Sequence, residues 1–368
     1  MRVERVELLT IDLPLVTPFR TSYGSVDRER KLLLRLLTDE AAGWGECAAM
    51  LAPLYTSEYV DGARDVIMGH LLPRLAGLDL SPERVETLLA PVRGHRMAKA
   101  AIEMAVFDAW GRARDASFAS LIGATRPAVA AGVSIGIPAS IAALLESVEG
   151  YLAQGYRRVK LKIEPGWDVA PVAAVRERIG ADVLLQVDAN AAYSPADGER
   201  LTALDPFDLL LLEQPLAEDD LLGHAALAGR LRTPICLDES ITSAVTADHA
   251  LRLGACSVVN IKPGRVGGYL EARRIHDLAV SRGVPVWCGG MLETGLGRAA
   301  NVALAALPGF SLPGDLSASG RYYEADVTAP FELVDGHLVV PTGPGLGVEV
   351  DEERLASFMV EREEWRPA

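Results

Sequence analysis

Apolar and charged residues alternate along Met1–Leu15 (MRVERVELLTIDLPL), the period of a half-buried strand. The pattern predicts one strand over Arg2–Leu13 and two more over Lys31–Thr38 and Gly43–Cys47. From about residue 57 to 125 the period becomes helical. Ala101, Ile102, Ala105, Val106, Ala109 and Trp110 share an inner face there, which leaves Lys99, Glu103, Asp108 and Arg112 to the surface. Beyond residue 130 short apolar runs recur: Gly132–Ile137, Arg158–Ile163, Val183–Asp188, Leu209–Glu213, Ile235–Asp238, Val258–Lys262 and Pro285–Cys288. Runs of this kind read as parallel strands buried on both faces, and the helix-patterned segments between them are long enough for crossovers. A weak eighth strand is expected near Phe310–Leu312. After Arg321 two short strand patterns, Phe331–Val334 and Leu338–Val340, flank a turn at Asp335-Gly336, and Glu352–Glu363 reads as an amphipathic helix.

These elements predict an α/β protein in three parts. Residues 1–125 form an α+β capping domain, residues 126–320 a modified TIM barrel of (β/α)7β type, and residues 321–368 a C-terminal segment. The barrel follows from a repeat of one strand, one helix and two loops. Asp188, Glu213 and Asp238 stand 25 residues apart, and Lys262 follows 24 residues later. Each closes a strand at its C-terminal end, where such barrels keep their active sites. Three carboxylates brought to one point repel strongly unless a cation lies between them. An all-oxygen donor set of this kind favours Mg²⁺, with Mn²⁺ or another hard divalent ion as an alternative. Lys160 and Lys162 lie two apart on one strand and share a face. Lys262 comes four strands after them, on the opposite side of the barrel. A substrate held at the metal thus has a lysine on each face. Taken singly, any of these acids could be only a helix cap, and the lysines could serve only to neutralise the acids.

Composition narrows the partners. The chain has 368 residues and a net charge of −14, which argues against nucleic acid. No apolar run approaches the ~18 residues of a membrane span. Cys47, Cys236, Cys256 and Cys288 are scattered, with no CxxC pair, as expected of buried free thiols in a cytoplasmic protein. None of the six histidines falls at a predicted strand end, which disfavours a histidine-rich metallohydrolase.

The motifs KLKIEPG, QVDAN, LLEQPL, CLDES and NIKPGRVGG together resemble the enolase superfamily in its muconate-lactonizing subgroup. Phe19–Ser22, Gly94–Lys99 and Gly289–Gly295 resemble one branch of it, that of o-succinylbenzoate synthases and N-succinylamino acid racemases. The resemblance implies a metal held by Asp188, Glu213 and Asp238, acid/base chemistry at Lys162 and Lys262, and a C-terminal tail that packs back on the cap. Its substrates are small carboxylates with a succinyl arm, dehydrated or racemised through an enediolate. Muconate cycloisomerase, a dedicated racemase and a non-catalytic carboxylate-binding barrel are the alternatives. Gly314-Asp315-Leu316-Ser317 lacks the Asp-x-Asp expected of a dipeptide epimerase.

Lys160 is placed to bias Lys162 towards the neutral base by like-charge repulsion. Asn190 and Glu239 are placed to orient a ligand or a lysine, and Arg265, three residues after Lys262, to tune it. Candidate substrate contacts are Ser134 in the first barrel strand, Phe19 and Arg20 in a mobile loop over Pro18–Gly24, Met50 and Tyr55 after the third strand, and Gly290 and Met291 after the seventh barrel strand. The resemblance implies that the Pro18–Gly24 loop closes over the barrel mouth. A homo-oligomer is expected, since barrels of this kind often assemble through exposed helix faces.

Overall fold

The computed structural model describes residues 1–367. The chain opens with a long hairpin, β1 (Val3–Thr21) and β2 (Gly24–Thr38), and continues into β3 (Ala42–Cys47). Helices α1 (Val60–Val66), α2 (Pro82–Leu89), α3 (Arg96–Ala113) and α4 (Phe118–Ile122) follow. After β4 (Ala128–Ala130), strands and helices alternate through β5 (Gly132–Ile135), α5 (Ile141–Ala153), β6 (Arg158–Lys162), α6 (Val169–Ile179) and β7 (Leu184–Asp188). The alternation continues with α7 (Gly198–Thr202), β8 (Leu212–Glu213), α8 (Leu221–Ala228), β9 (Ile235–Leu237) and α9 (Ala244–Leu253). Next come β10 (Val258–Ile261), the short α10 (Pro263–Val266), α11 (Tyr269–Ser281), β11 (Val286–Cys288) and α12 (Gly295–Ala305). The tail holds β12 (His337–Val339), α13 (Glu352–Phe358) and β13 (Met359–Trp365).

Strands β5 to β11 form one parallel sheet, each paired with its neighbour in chain order. The expected eighth strand is reduced to single bridges, Phe310 to Val286 of β11 and Gly314 to Ala131 beside β5. Residues 310–314 therefore stand between the last strand and the first and close the barrel. Buried Arg158 reinforces the seam, donating to Asp315 Oδ1 at 2.7 Å and to the Pro313 carbonyl at 2.8 Å. The N-terminal sheet is antiparallel in the order β13-β1-β2-β3. Gly43 and Gly45 let β3 lie directly on α3, because a Cβ at either would fall on backbone atoms of Ala101, Ala105 or Ala109.

Four expectations are corrected. The Pro18–Gly24 segment is not an open loop. Phe19 pairs with Val26, Arg20 with Ser25 and Thr21 with Gly24, so β1 and β2 run to a turn at Ser22-Tyr23. The tip is pinned across the barrel mouth: the Arg20 carbonyl accepts Ile137 N at 2.9 Å and Ser22 Oγ donates to the Ala189 carbonyl at 3.3 Å. Glu103 and Asp108 are buried, because α3 is covered by β3 on one side and the barrel on the other. Their carboxylates accept backbone N–H groups, of Tyr269 for Glu103 and of Trp44 and Leu346 for Asp108. Burial pushes the Glu103 carboxyl up to about 8. Glu352–Glu363 is helical only as far as Phe358, and its second half becomes β13, paired antiparallel with β1. Phe331–Val334 forms no strand. Only Val334 bridges back to His337.

The β3–α3 contact leaves no room for a methyl group. Gly45→Ala should lower unfolding free energy by about 1–3 kcal/mol, the usual cost of overpacking. A urea midpoint indistinguishable from that of the unmodified chain would refute the close packing.

Candidate active site

The register of the barrel strands delivers the charged side chains to one level. Lys162 pairs with Asp188, and Asp188 with Glu213. Asp238 follows the last residue of β9, and Lys262 the last of β10. Asp188, Glu213 and Asp238 are at most 1% exposed. Lys160 Nζ lies 3.0 Å from Asp188 Oδ2, 3.0 Å from Glu213 Oε2 and 2.5 Å from Asp315 Oδ2. Lys162 Nζ donates to Asp188 Oδ2 and to Asn190 Oδ1, both at 2.6 Å. Across the barrel, Lys262 Nζ donates to Asp238 Oδ2 at 2.7 Å and to Tyr55 Oη at 3.1 Å.

A further shell holds these groups. Asn190 Nδ2 donates to Glu239 Oε1 at 3.0 Å. Arg265 is buried beside Asp238, pairs with its Oδ1, and donates to the carbonyls of Ile241 and Asn260. Tyr55 Oη, reaching down from the cap, donates to Asp238 Oδ1 at 2.8 Å. Asn190 and Gln214 have φ of +42° and +37°, uncommon for residues other than glycine and typical of strained functional positions. Gln214 earns its conformation by gripping the next strand end, accepting Asp238 N at 3.0 Å and donating to Ser240 Oγ at 2.8 Å.

The electrostatics of the two lysines differ. Burial pushes Lys162 down, and the Lys160 ammonium adds to the shift against the pull of Asp188. Burial also works against the Lys262 ammonium, but Tyr55, Glu213, Glu239 and Asp188 raise it above its ordinary value. Lys160 likewise stays cationic despite burial, raised by Asp315, Glu213 and Asp188. Burial opposes ionisation of Asp188, yet Lys162 and Lys160 hold it well below the usual carboxylate range. Burial and the Asp188 charge push Glu213 up, and burial pushes Glu239 up to about 7.

Among the described residues no three His, Cys, Asp or Glu side chains are grouped to share an ion, and lysine ammoniums stand against the carboxylates. The donor set nevertheless fits a hard divalent cation. It offers three buried carboxylates on adjacent strand ends, one of them disfavoured as an anion by burial and by the Asp188 charge. Asp188, Glu213 and Asp238 are the residues that could hold it.

A cavity opens above these charges, between the barrel mouth and the cap. Lys160, Lys162, Lys262, Asn190, Ser134, Phe19, Met50, Tyr55, Gly290 and Met291 all line it. Ser134 Oγ is buried with no partner, free to meet a ligand. Gly289 lies beside the stem of Lys262, where an added Cβ would sit 2.6 Å from Cε. Arg20 does not line the cavity. Phe19 and Thr21 point inward on β1, so Arg20 between them points out and pairs with Glu164 at 2.6 Å. Glu239 and Arg265 act from behind the wall.

Three residues of the charged network escaped the sequence reading. Asp315 lines the cavity and binds Lys160 and Arg158. Asn260 donates to Glu213 Oε1 at 2.6 Å, and its place two residues before Lys262 on one strand was the available signal. Gln214 adjoins Glu213, but its role depends on a backbone conformation that spacing does not reveal.

The model of the mandelate racemase / muconate lactonizing enzyme N-terminal domain matches residues 5–123, and the enolase C-terminal domain-like model matches residues 143–354. An N-succinylamino acid racemase of an Amycolatopsis species is 61% identical over 349 residues, 95% of each chain. An o-succinylbenzoate synthase of Geobacillus stearothermophilus is 46% identical over 97% of this chain and 96% of that one. A crystal structure of an enolase-superfamily member from Listeria innocua superposes with a TM-score of 0.96 at 41% identity over the full length of both chains. Members of the superfamily generally depend on a divalent metal. The chain belongs to the enolase superfamily, with the domain pair of the mandelate racemase / muconate lactonizing enzymes.

Proposed function

We propose that the chain is a Mg²⁺-dependent o-succinylbenzoate synthase that also racemises N-succinylamino acids. The observation that carries this reading is the pair of buried lysines, Lys162 and Lys262, that face one cavity from strands on opposite sides of the barrel. A dedicated N-succinylamino acid racemase is the second reading, favoured by the 61% identity to a protein of that name. In either case residues 1–125 and 321–368 cap the barrel of residues 126–320. Leu222, Val245 and Val280 are exposed on barrel helices, which suits assembly into a homo-oligomer. The four cysteines are buried free thiols, which suits a cytoplasmic enzyme, and no helix among the described residues is long and apolar enough to cross a membrane.

Held by Asp188, Glu213 and Asp238, the divalent ion would stabilise the negative charge that develops on the substrate carboxylate. Mn²⁺ or another hard ion could replace Mg²⁺. The protein supplies the proton transfers. Lys162, pushed towards neutrality, is suited to take the α-proton, and Lys262, held cationic, to give one on the other face. In the reverse direction the roles exchange. In the dehydration one lysine serves as base and then acid on the same face, while the other remains an ammonium beside the enediolate. Asn190 orients the Lys162 amine and is itself held by Glu239. Tyr55 and Arg265 hold Asp238 and Lys262 in line. Phe19, Met50, Leu54 and Met291 give the cavity apolar walls for the rest of the substrate and exclude water.

Incubation of N-succinyl-phenylalanine with the enzyme and Mg²⁺ in D₂O should exchange the α-proton and abolish optical rotation. Lys162→Ala should stop exchange of one enantiomer and Lys262→Ala that of the other, each by about 10²–10⁴-fold. Proton NMR of the separate enantiomers reads this directly, and exchange of both by either variant would exclude two-base chemistry.

Lys160→Met removes a cation that depresses Lys162. The Lys162 ammonium is then favoured, so the acid limb of the kcat/KM profile should move to higher pH. An unchanged limb would leave Lys160 with no part in tuning the base. Chelation of divalent ions should abolish both activities and Mg²⁺ should restore them. Full turnover in metal-free enzyme would overturn the metal-dependent reading.

A further inference from the structure

Two sequence motifs far from each other, Gly43–Cys47 and Gly289–Gly295, meet behind the cavity wall. The loop after β11 supplies Gly290, Met291 and Leu292 to the cavity. Much of what fixes this loop comes from the cap. Lys31 of β2 is fully buried, and its Nζ donates to the Met291 carbonyl and to Glu29 Oε2, both at 2.8 Å. Glu46 of β3 accepts Thr294 N at 3.0 Å and Thr294 Oγ1 at 2.6 Å. It also accepts Gly297 N at 2.9 Å, so that a cap carboxylate sits on the first turn of the barrel helix α12. Gly297 permits this approach, since an added Cβ there would lie 2.9 Å from Glu46 Oε2. Within the loop, Glu293 Oε2 accepts Met291 N at 2.9 Å, and Tyr323 Oη donates to the Leu292 carbonyl at 2.5 Å.

The loop conformation bears the mark of this grip. Leu292 has a φ of +54°, a left-handed conformation that a branched residue adopts only when its surroundings impose it. The two ties from the cap fall on either side of it, at Met291 and Thr294. Neither Lys31 nor Glu46 lines the cavity. Both instead decide where Met291 and Leu292 stand.

We propose that Lys31 and Glu46 are positioning residues that set the selectivity of the cavity for the substrate's side chain, by fixing the Met291–Leu292 wall from the cap. This rests on the racemase activity proposed above. Loss of the grip lets the wall retreat, which weakens contact with a large side chain and leaves the lysines and carboxylates in place.

The test compares N-succinyl-phenylalanine with N-succinyl-alanine in the full-length enzyme with Mg²⁺. Lys31→Met alone would strand the Glu29 carboxylate, and Glu29 itself lines the cavity, so the double variant Lys31→Met/Glu29→Gln is compared with the single variant Glu29→Gln, and Glu46→Gln keeps the shape of the side chain. Circular dichroism and thermal melting establish that each variant is folded. In Glu46→Gln against the wild type, and in the double variant against Glu29→Gln, KM for the phenylalanine substrate should rise by about tenfold, the scale expected when a wall is misplaced away from the chemistry. KM for the alanine substrate and both kcat values should stay within about threefold. A merely structural role lowers the amount of active enzyme and so reduces kcat equally for both substrates. An unchanged ratio of kcat/KM between the two substrates in folded variants, with the wild type active on both, overturns the positioning role alone. A wild type that racemises neither overturns the racemase reading and this inference with it.

Discussion

Charge compensation inside a closed sheet is the constraint on which the rest of the structure depends. Asp188, Glu213, Asp238 and Asp315 have almost no contact with water, and neither do Lys160, Lys162, Lys262, Arg158 and Arg265. An unpaired charge in such a place costs several kcal/mol, and removing one partner of a buried pair typically costs about 3–5 kcal/mol. The network is tolerable because the strand register sets acids and bases side by side. Lys162 meets Asp188 on the next strand, and Lys160 lies among the carboxylates of two other strand ends and of Asp315 beside the closing segment. The arrangement is a poor route to stability, since apolar side chains of the same volume would serve the barrel as well or better. Its persistence at one end of the sheet is better explained by chemistry that needs a cation site and two amines in a dry place.

The cap makes that place dry and also holds its parts. The β1–β2 hairpin crosses the barrel mouth and sets Phe19 inward, and Tyr55 reaches to Asp238 and Lys262. Buried acids of the cap, Glu46 and Glu103, each accept the N–H groups at the start of a barrel helix, α12 and α11. These bonds satisfy helix termini that would otherwise be buried without partners. Cap and barrel are therefore joined by interactions whose geometry is fixed to within a hydrogen-bond length, and not by apolar contact alone.

Much of this was legible from the spacing of apolar runs. Each of the seven barrel strands was announced by a short apolar run, and in four of them the residue that closes the run (Asp188, Glu213, Asp238 or Lys262) was the informative one. Asp315 stayed hidden because the eighth strand has shrunk to isolated bridges, and the weak run at Phe310–Leu312 ends before it. Glu103 and Asp108 were misplaced because helical periodicity assumes one wet face, whereas α3 is sandwiched and its acids serve as caps for other segments. Arg20 was grouped with Phe19 by proximity in sequence, although the strand alternation sends the two to opposite sides. Long-range backbone pairing decided the remaining differences. The tail turns from helix to strand at Phe358 because an open edge of β1 is there to receive it.

The division of labour that results explains how one framework can serve two reactions. Racemisation and dehydration both begin with removal of a proton beside a carboxylate, so both need the same amines and the same cation site. Neither need distinguishes one substrate from the other. Discrimination falls to the cavity wall, and the wall is built from segments the barrel does not control: the hairpin tip, the stretch around Met50 and Tyr55, and the loop through Met291. Two of these belong to the cap, and the third is held from it through Lys31 and Glu46. Changes in the cap away from Tyr55, which touches Asp238 and Lys262, can therefore shift substrate preference without disturbing a buried charge network that tolerates almost no change.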